Sequence, residues 1–396
     1  MSKLNKQQKR LITVITTFLI IVIEFAIYFN AVLLPNIKYD FGITEYTAQY
    51  LISTMLVTLG FSGFIYGGIT NTIGRKPILV FAVSVFSLSL LMSTISNSVT
   101  ILIIAKFLQG IGSGAAWVIG NACIKDVYSG KKYVQVTNYV HSVVGIAPLV
   151  ALVMGSYLGV LIGWRGAFQV IFVISLIILG IIILYQPETL KVYKVFSFRG
   201  CYTNCKFIFN KKQCVKYLII KGLCVASFFM ESSNIPLIFI DYMKVPQQYY
   251  GLYSIPMFLF YILSTFVSGK IANKFHTQSI IYIGLILIFF SNIAIIFIAQ
   301  FLDLSPFIIQ ILKIPCYMGW GCCLGNITAL IVLSAKGEEG TATAFMMLFE
   351  MVFSSIGVFV LGLFFDKTVI PLSYGCSVVI LFCIIFIKNF ANSESK

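Results

Sequence analysis

Residues 106–121 read Lys-Phe-Leu-Gln-Gly-Ile-Gly-Ser-Gly-Ala-Ala-Trp-Val-Ile-Gly-Asn, and residues 313–326 read Lys-Ile-Pro-Cys-Tyr-Met-Gly-Trp-Gly-Cys-Cys-Leu-Gly-Asn. In both, glycines follow the lysine at the same spacings, Gly112 and Gly114 in the first, Gly319 and Gly321 in the second. A Gly-Asn pair then closes each stretch, Gly120-Asn121 and Gly325-Asn326. Each stretch lies in an apolar run long enough to cross a bilayer, which takes about 20 residues. A second echo follows two other apolar runs, Gly67-Gly-Ile-Thr-Asn71 and Gly269-Lys-Ile-Ala-Asn273. Matching order in two distant parts of the chain implies a duplicated architecture with a site at the repeat interface.

Working outward, hydropathy marks twelve runs. They fall at 11–34, 46–68, 78–96, 99–124, 134–160, 166–185, 216–240, 248–269, 278–299, 305–334, 341–365 and 370–390. The one long polar stretch, Gln186 to Cys214, separates the first six from the last six. The expected fold is an all-α membrane protein of twelve transmembrane helices in two pseudo-symmetric six-helix bundles. Residues 1–190 and 216–396 form the bundles, and 191–215 is a basic linker.

The composition agrees: 59% of the 396 residues are hydrophobic and only 10% are charged. Soluble domains carry about 25% charged residues, so a soluble enzyme, a DNA-binding domain and a disulfide-stapled secreted module are excluded. The basic Met1–Arg10 and the apolar run to Pro35 form a first span, too long for a cleavable signal. Twenty-one of the 28 Lys and Arg fall on the side of the N-terminus, and only Lys38, Arg165, Lys244 and Lys367 on the other. By the positive-inside rule both termini are cytoplasmic. The net charge of +15 is therefore a topology signal and not the mark of a nucleic-acid partner. Cys201, Cys205 and Cys214 share the basic loop without a second pair or a neighbouring His, so no metal site is expected.

The stretch Gly67-Gly-Ile-Thr-Asn-Thr-Ile-Gly-Arg-Lys76 resembles the G-x-L-A-D-R-x-G-R-K signature of the major facilitator superfamily. Lys106-Phe-Leu-Gln-Gly-Ile-Gly112 resembles its R-x-x-Q-G-x-G. Ala147-Pro-Leu-Val-Ala-Leu-Val-Met-Gly155 and Gly163-Trp-Arg-Gly-Ala-Phe168 resemble the corresponding run of the Bcr/CflA-type drug:proton antiporters, and Pro187-Glu-Thr-Leu190 matches the end of the sixth span. The resemblance covers nearly the whole chain. It implies conformational roles for Gly67, Asn71, Gly74, Arg75, Lys76, Gln109, Gly110, Gly145, Pro148 and Gly155, with Pro148 bending the fifth helix at the interface between halves. The chain departs from the pattern at Asn71, Thr72 and Lys106, where the family carries an acid and two arginines. The loop latch must then be weaker or differently made.

Six charges fall where the bilayer makes them costly: Glu24, Lys106, Lys221, Glu231, Lys313 and Glu350. Such residues usually face the bundle interior or a partner. Lys221, one turn from the end of its span, can extend its ammonium to the interface. The resemblance places Glu24, Lys106, Glu231 and Lys313 on helices that line a central cavity, with Glu350 as a third acid. A carboxyl group withdrawn from water holds its proton more tightly, and a neighbouring lysine reverses that. Motion of Lys106 relative to Glu24 would thus couple protons to transport. Tyr28, Tyr317 and Trp320 are candidate substrate contacts, and Trp164-Arg165 a candidate interfacial anchor.

These residues point to a proton-coupled secondary transporter, most simply an exporter of a drug-like compound or metabolite working by alternating access. Its expected partners are a small-molecule substrate, protons and lipids; it needs no cofactor beyond the proton gradient and acts as a monomer in a bacterial inner membrane. Two cavity lysines leave open a carrier of a carboxylate or amine metabolite such as a siderophore or amino acid, including an uptake permease. The sequence holds no G-x4-G-K-[ST], H-E-x-x-H or G-x-S-x-G motif for an ATP-driven pump or an intramembrane enzyme.

Overall fold

The computed structural model describes residues 5–190, 192–193, 198–272, 274–335 and 337–394; Asn273 of the second echo lies outside them. Among the described residues there is no strand. The helices are α1 (Lys6–Phe41), α2 (Glu45–Ile73), α3 (Arg75–Thr94), α4 (Val99–Val127), α5 (Gly130–Val144), α6 (Ala147–Leu161) and α7 (Gly163–Tyr185). There follow α8 (Phe198–Asn210), α9 (Lys212–Pro236), α10 (Gln247–Ile271), α11 (Thr277–Ile298), α12 (Pro306–Ser334), α13 (Glu339–Leu363) and α14 (Ile370–Glu394). The ends are set locally. Asn5, Thr44, Ser98 and Ser305 each accept a backbone N–H of the first turn. Gly42 closes α1 in the left-handed region at φ +59°.

Eleven of these helices are long and apolar enough to cross a membrane. The fifth expected span, 134–160, is instead two helices, α5 and α6, separated at Gly145–Ile146. The reason lies in Pro148. A proline inside a continuous helix loses a hydrogen bond and collides with the carbonyl four residues back, here that of Val144. In the first turn of a new helix its missing N–H costs nothing, and Pro148 occupies that position in α6. It starts a helix where the sequence suggested a bend within one. The seventh span also departs from regular geometry, because residues Leu237–Tyr242 after Pro236 wind as a π-helix.

The repeat seen in the sequence is a packing repeat. In α4, a methyl group on Gly112 would strike the backbone of Phe86 in α3, and one on Gly114 would overlap Ser62 Oγ in α2. In α12, Gly319 lies as closely against Gly284 of α11, and Gly321 against Ser264 of α10. The fourth helix of each half is therefore drawn onto its second and third by the same two glycines, the small-residue mode of packing that membranes favour. The two halves meet along α2 with α13, α6 with α10, and α1 with α9. Within the first half, Gly155 of α6 brings Val32 and Phe29 of α1 into contact.

At Gly110 a Cβ would overlap Thr58 Oγ1 and the backbone of α2, whereas at Gly325 it would meet open space. Gly110→Leu should therefore cost at least about 1–3 kcal/mol by overpacking and lower the unfolding temperature in detergent, while Gly325→Ala should leave it unchanged or raise it slightly.

Candidate functional site

The charged residues inside the spans settle into three arrangements. The first is a closed ion pair. Lys313 Nζ of α12 lies 2.6 Å from Glu231 Oε2 of α9 and donates to Asn292 Oδ1 of α11 at 2.9 Å. Both side chains are 0% exposed. The second pair joins α9 to α13: Lys221 Nζ lies 3.5 Å from Glu350 Oε1 and donates to the Leu324 carbonyl of α12 at 2.9 Å. Lys221 is buried and does not reach the interface as its place near the end of the span suggested, because this acid and carbonyl are closer than water.

The third arrangement leaves Glu24 and Lys106 apart. Glu24 Oε1 of α1 accepts from Trp117 Nε1 of α4 at 2.8 Å. Lys106, 1% exposed, donates to Gln109 Oε1 at 3.2 Å and to Ser93 Oγ of α3 at 3.4 Å, and its ammonium stands 3.9 Å from the centre of the Phe168 ring. Among the described residues no carboxylate lies within 4 Å of Lys106 and no cation within 4 Å of Glu24. Both partners sit on α4, but Trp117 is eleven residues beyond Lys106, roughly 16 Å along the helix. Glu24 and Lys106 make no contact in this structure, and the two groups lie at different depths. The Lys106 niche is the counterpart of the Lys313 niche, with Ser93 in place of Asn292 and no glutamate; Asn30 of α1 completes it by donating to Gln109 Oε1 at 3.3 Å.

Aromatic rings fill the space between the halves. Tyr28 of α1 packs edge-on against Phe258 of α10, 6.3 Å between centroids, and Phe258 meets Tyr317 of α12 at 5.7 Å. Trp320 packs 5.1 Å from Tyr317, is fully buried, and donates to Ser227 Oγ at 2.9 Å. The cavity beside Tyr317, also lined by Tyr250, Ser232 and Ser254, holds about 10 Å³. That is room for one water, while Glu24, Trp117 and Glu350 are each partly exposed.

The two faces are held by polar clusters. On the face of the N-terminus, Gly74 turns the chain at φ +113°, and the Glu188 carboxylate accepts the N–H groups of Arg75 at 3.0 Å and Lys76 at 3.1 Å. Arg75 Nε donates to Asp126 Oδ2 at 3.0 Å, and Thr189 Oγ1 reaches the same oxygen at 3.1 Å. Lys76 Nζ donates to the Ile183 carbonyl at 2.7 Å, and Asn71 only to Gly67 of its own helix at 3.3 Å. Around this loop, then, Glu188 and Asp126 are the acids, where Asn71 supplies none. On the opposite face, Lys38 of α1 reaches Glu45 of α2 at 2.8 Å and Asp241 of the π-helical segment at 3.0 Å, and Tyr242 donates to Glu45. Nearby, Gln49 Nε2 donates to the Ser233 carbonyl at 3.2 Å and to Asn234 Oδ1 at 3.1 Å. Trp164 is buried and donates to Asp40 at 3.1 Å, joined there by Arg165, so the pair ties α7 to α1 where an interfacial anchor was expected.

An all-helical bundle of membrane-crossing length with charges sealed inside defines a polytopic membrane protein. Residues 16–358 match the family model of the Major Facilitator Superfamily, and the chain belongs to that superfamily of transporters, which are not enzymes. It is 24% identical over 272 residues, 68% of each chain, to a bicyclomycin resistance protein homolog of Haemophilus influenzae. It is 24% identical over 337 residues, 83% of each chain, to the multidrug resistance protein MdtL of a Shewanella species. The chloramphenicol resistance protein CraA of Acinetobacter baumannii matches at 24% over 82% of this chain and 80% of its own. In fold, the chain is similar to a bacterial homolog of the human lysosomal transporter Spinster in an inward-facing, unoccupied conformation, with TM-score 0.74 and 12% identity over 97% of this chain and 95% of that one. It is equally similar to the partially occluded, inward-open xylose transporter XylE from E. coli, TM-score 0.73 and 13% identity over 97% and 98% of the two chains.

Removing one member of a buried ion pair typically costs about 3–5 kcal/mol, whereas replacing both by apolar groups is often neutral. Lys313→Ala should therefore lower the unfolding temperature sharply, and the double substitution Glu231→Leu with Lys313→Met should recover most of the loss.

Proposed function

We propose that the chain is a proton-coupled exporter of small drug-like molecules in a bacterial inner membrane, working by alternating access. One observation carries the reading: of the three acids within the spans, Glu231 and Glu350 face lysines, whereas Glu24 faces the neutral donor Trp117. A cationic partner holds a carboxylate toward its ionised form; a carboxyl group without one can take up a proton and give it back when a substrate competes for the site. Lys106 acts through its uncompensated charge in the same half and not by touching Glu24. The bundles, residues 1–190 and 216–396 joined by 191–215, rock about Tyr28, Phe258 and Tyr317. The resistance proteins among the relatives support a drug-like substrate.

The alternative, a metabolite carrier, rested on two lysines open to the cavity. Lys313 is committed to Glu231 and Lys106 is enclosed by Ser93, Gln109 and Phe168. Neither presents a free ammonium to a carboxylate substrate, and no relative named above is a siderophore transporter.

Glu24→Gln, close in size and unable to ionise, should fold with the wild-type unfolding temperature but lose uphill transport and its dependence on pH in proteoliposomes. Retention of pH-dependent uphill transport would refute the assignment. Opening of the face opposite the N-terminus should require release of Lys38 from Asp241. Lys38→Glu places three acids together and should raise thiol labelling of a cysteine introduced at Asn36, in the pocket of that face, several-fold over the same cysteine in the wild-type background.

A further inference from the structure

From Thr189 through Met230 the chain carries no acidic residue, while seven Lys and Arg lie between Lys191 and Lys216. Within this stretch the structure forms α8, a thirteen-residue helix that runs between the end of α7 and the start of α9. α8 thus lies between the ends of two spans on the face of the N-terminus. Ile208 is fully buried, whereas Phe209, 51% exposed, stands 5.2 Å from Phe345 of α13, which in turn is 5.0 Å from Phe64 of α2. Lys206, three residues before Phe209 and so on the same side of α8, and Lys212, the first residue of α9, are exposed and form no ion pair among the described residues. Phe207 is 39% exposed beneath the Lys211 ammonium, 4.2 Å from its ring. Glu339 at the start of α13 lies in electrostatic reach of Lys211, which leaves Lys206 and Lys212 as the outward charges.

We propose that α8 is a lipid-binding brace. Lys206 and Lys212 take the phosphate groups of anionic phospholipids, Phe207 enters the interfacial layer, and Phe209 carries that anchoring to Phe345 at the seam of α2 and α13. Three physical points select the occupant. A helix with aromatic side chains beside lysines, lying along a membrane surface, gains from both apolar insertion and anionic headgroups. A stretch with one sign of charge and no acid of its own complements a negative surface. The Phe209–Phe345–Phe64 line then ends at a seam between the two halves, so lipid binding would bias which face of the transporter is held closed. The inference does not depend on the identity of the transported molecule or on Glu24.

The test is amide hydrogen exchange on the full-length protein in nanodiscs of phosphatidylcholine, with and without about 30% phosphatidylglycerol. Anionic lipid should slow exchange across residues 203–213 by about tenfold, and the effect should fade at about 1 M salt, where charges are screened within about 3 Å. Lys206→Gln with Lys212→Gln should abolish the slowing while exchange in α3 and α4 stays at the wild-type level. Phe209→Ala should keep the slowing in α8 but lose any accompanying change at residues 60–68 of α2. Equal exchange in the two lipids, undiminished slowing in the lysine variant, or protection of α8 by added RNA in phosphatidylcholine alone would each overturn the proposal.

Discussion

A charge within the hydrocarbon layer has no water to solvate it, so it must find compensation inside the protein. That requirement organises this molecule. Glu231 with Lys313, and Glu350 with Lys221, satisfy it by pairing, and in doing so pin α9 to α12 and to α13. Glu24 and Lys106 satisfy it only with neutral donors, acceptors and an aromatic face. The second half is thus electrostatically closed, and the first keeps one acid and one base uncompensated. The proposed function rests on that asymmetry, since Glu24 has no cationic partner within ion-pair distance among the described residues.

The scaffold itself relies on small residues. Gly112 and Gly114, with Gly319 and Gly321, allow the backbones of each half to approach without a hydrophobic driving force between helices. Between the halves Gly60 of α2 also lies against Met351 of α13 and Gly251 of α10 against the backbone of Val153 in α6, and to these close approaches are added ring edges in the middle, an ion-pair cluster around Lys38 on one face, and the Phe64–Phe345–Phe209 line on the other.

The repeat, the twelve runs and the glycine spacing were readable because each is periodic or local. The separation of Glu24 from Lys106 was not legible, because a position along each of two helices does not give their relative depth, which the packing of α1 on α4 sets. The break between α5 and α6 was legible in part: Gly145 and Pro148 announced an irregularity, but whether proline bends a helix or begins one depends on whether its neighbours close the turn. The partners of Arg75 were hidden for another reason. Asp126 and Glu188 lie at the ends of two other helices, and Pro187-Glu-Thr-Leu190 gave a hint without naming what the glutamate caps. Trp117, which holds Glu24, had no signal beyond its place in a glycine-rich run.

The central claim is that a proton is exchanged for substrate, and proton movement in proteoliposomes measures it directly. With a pH-sensitive dye enclosed and no imposed proton gradient, an outward-directed gradient of a transported drug should draw protons inward in step with drug efflux. Drug efflux with no proton movement above that of protein-free vesicles would contradict the account.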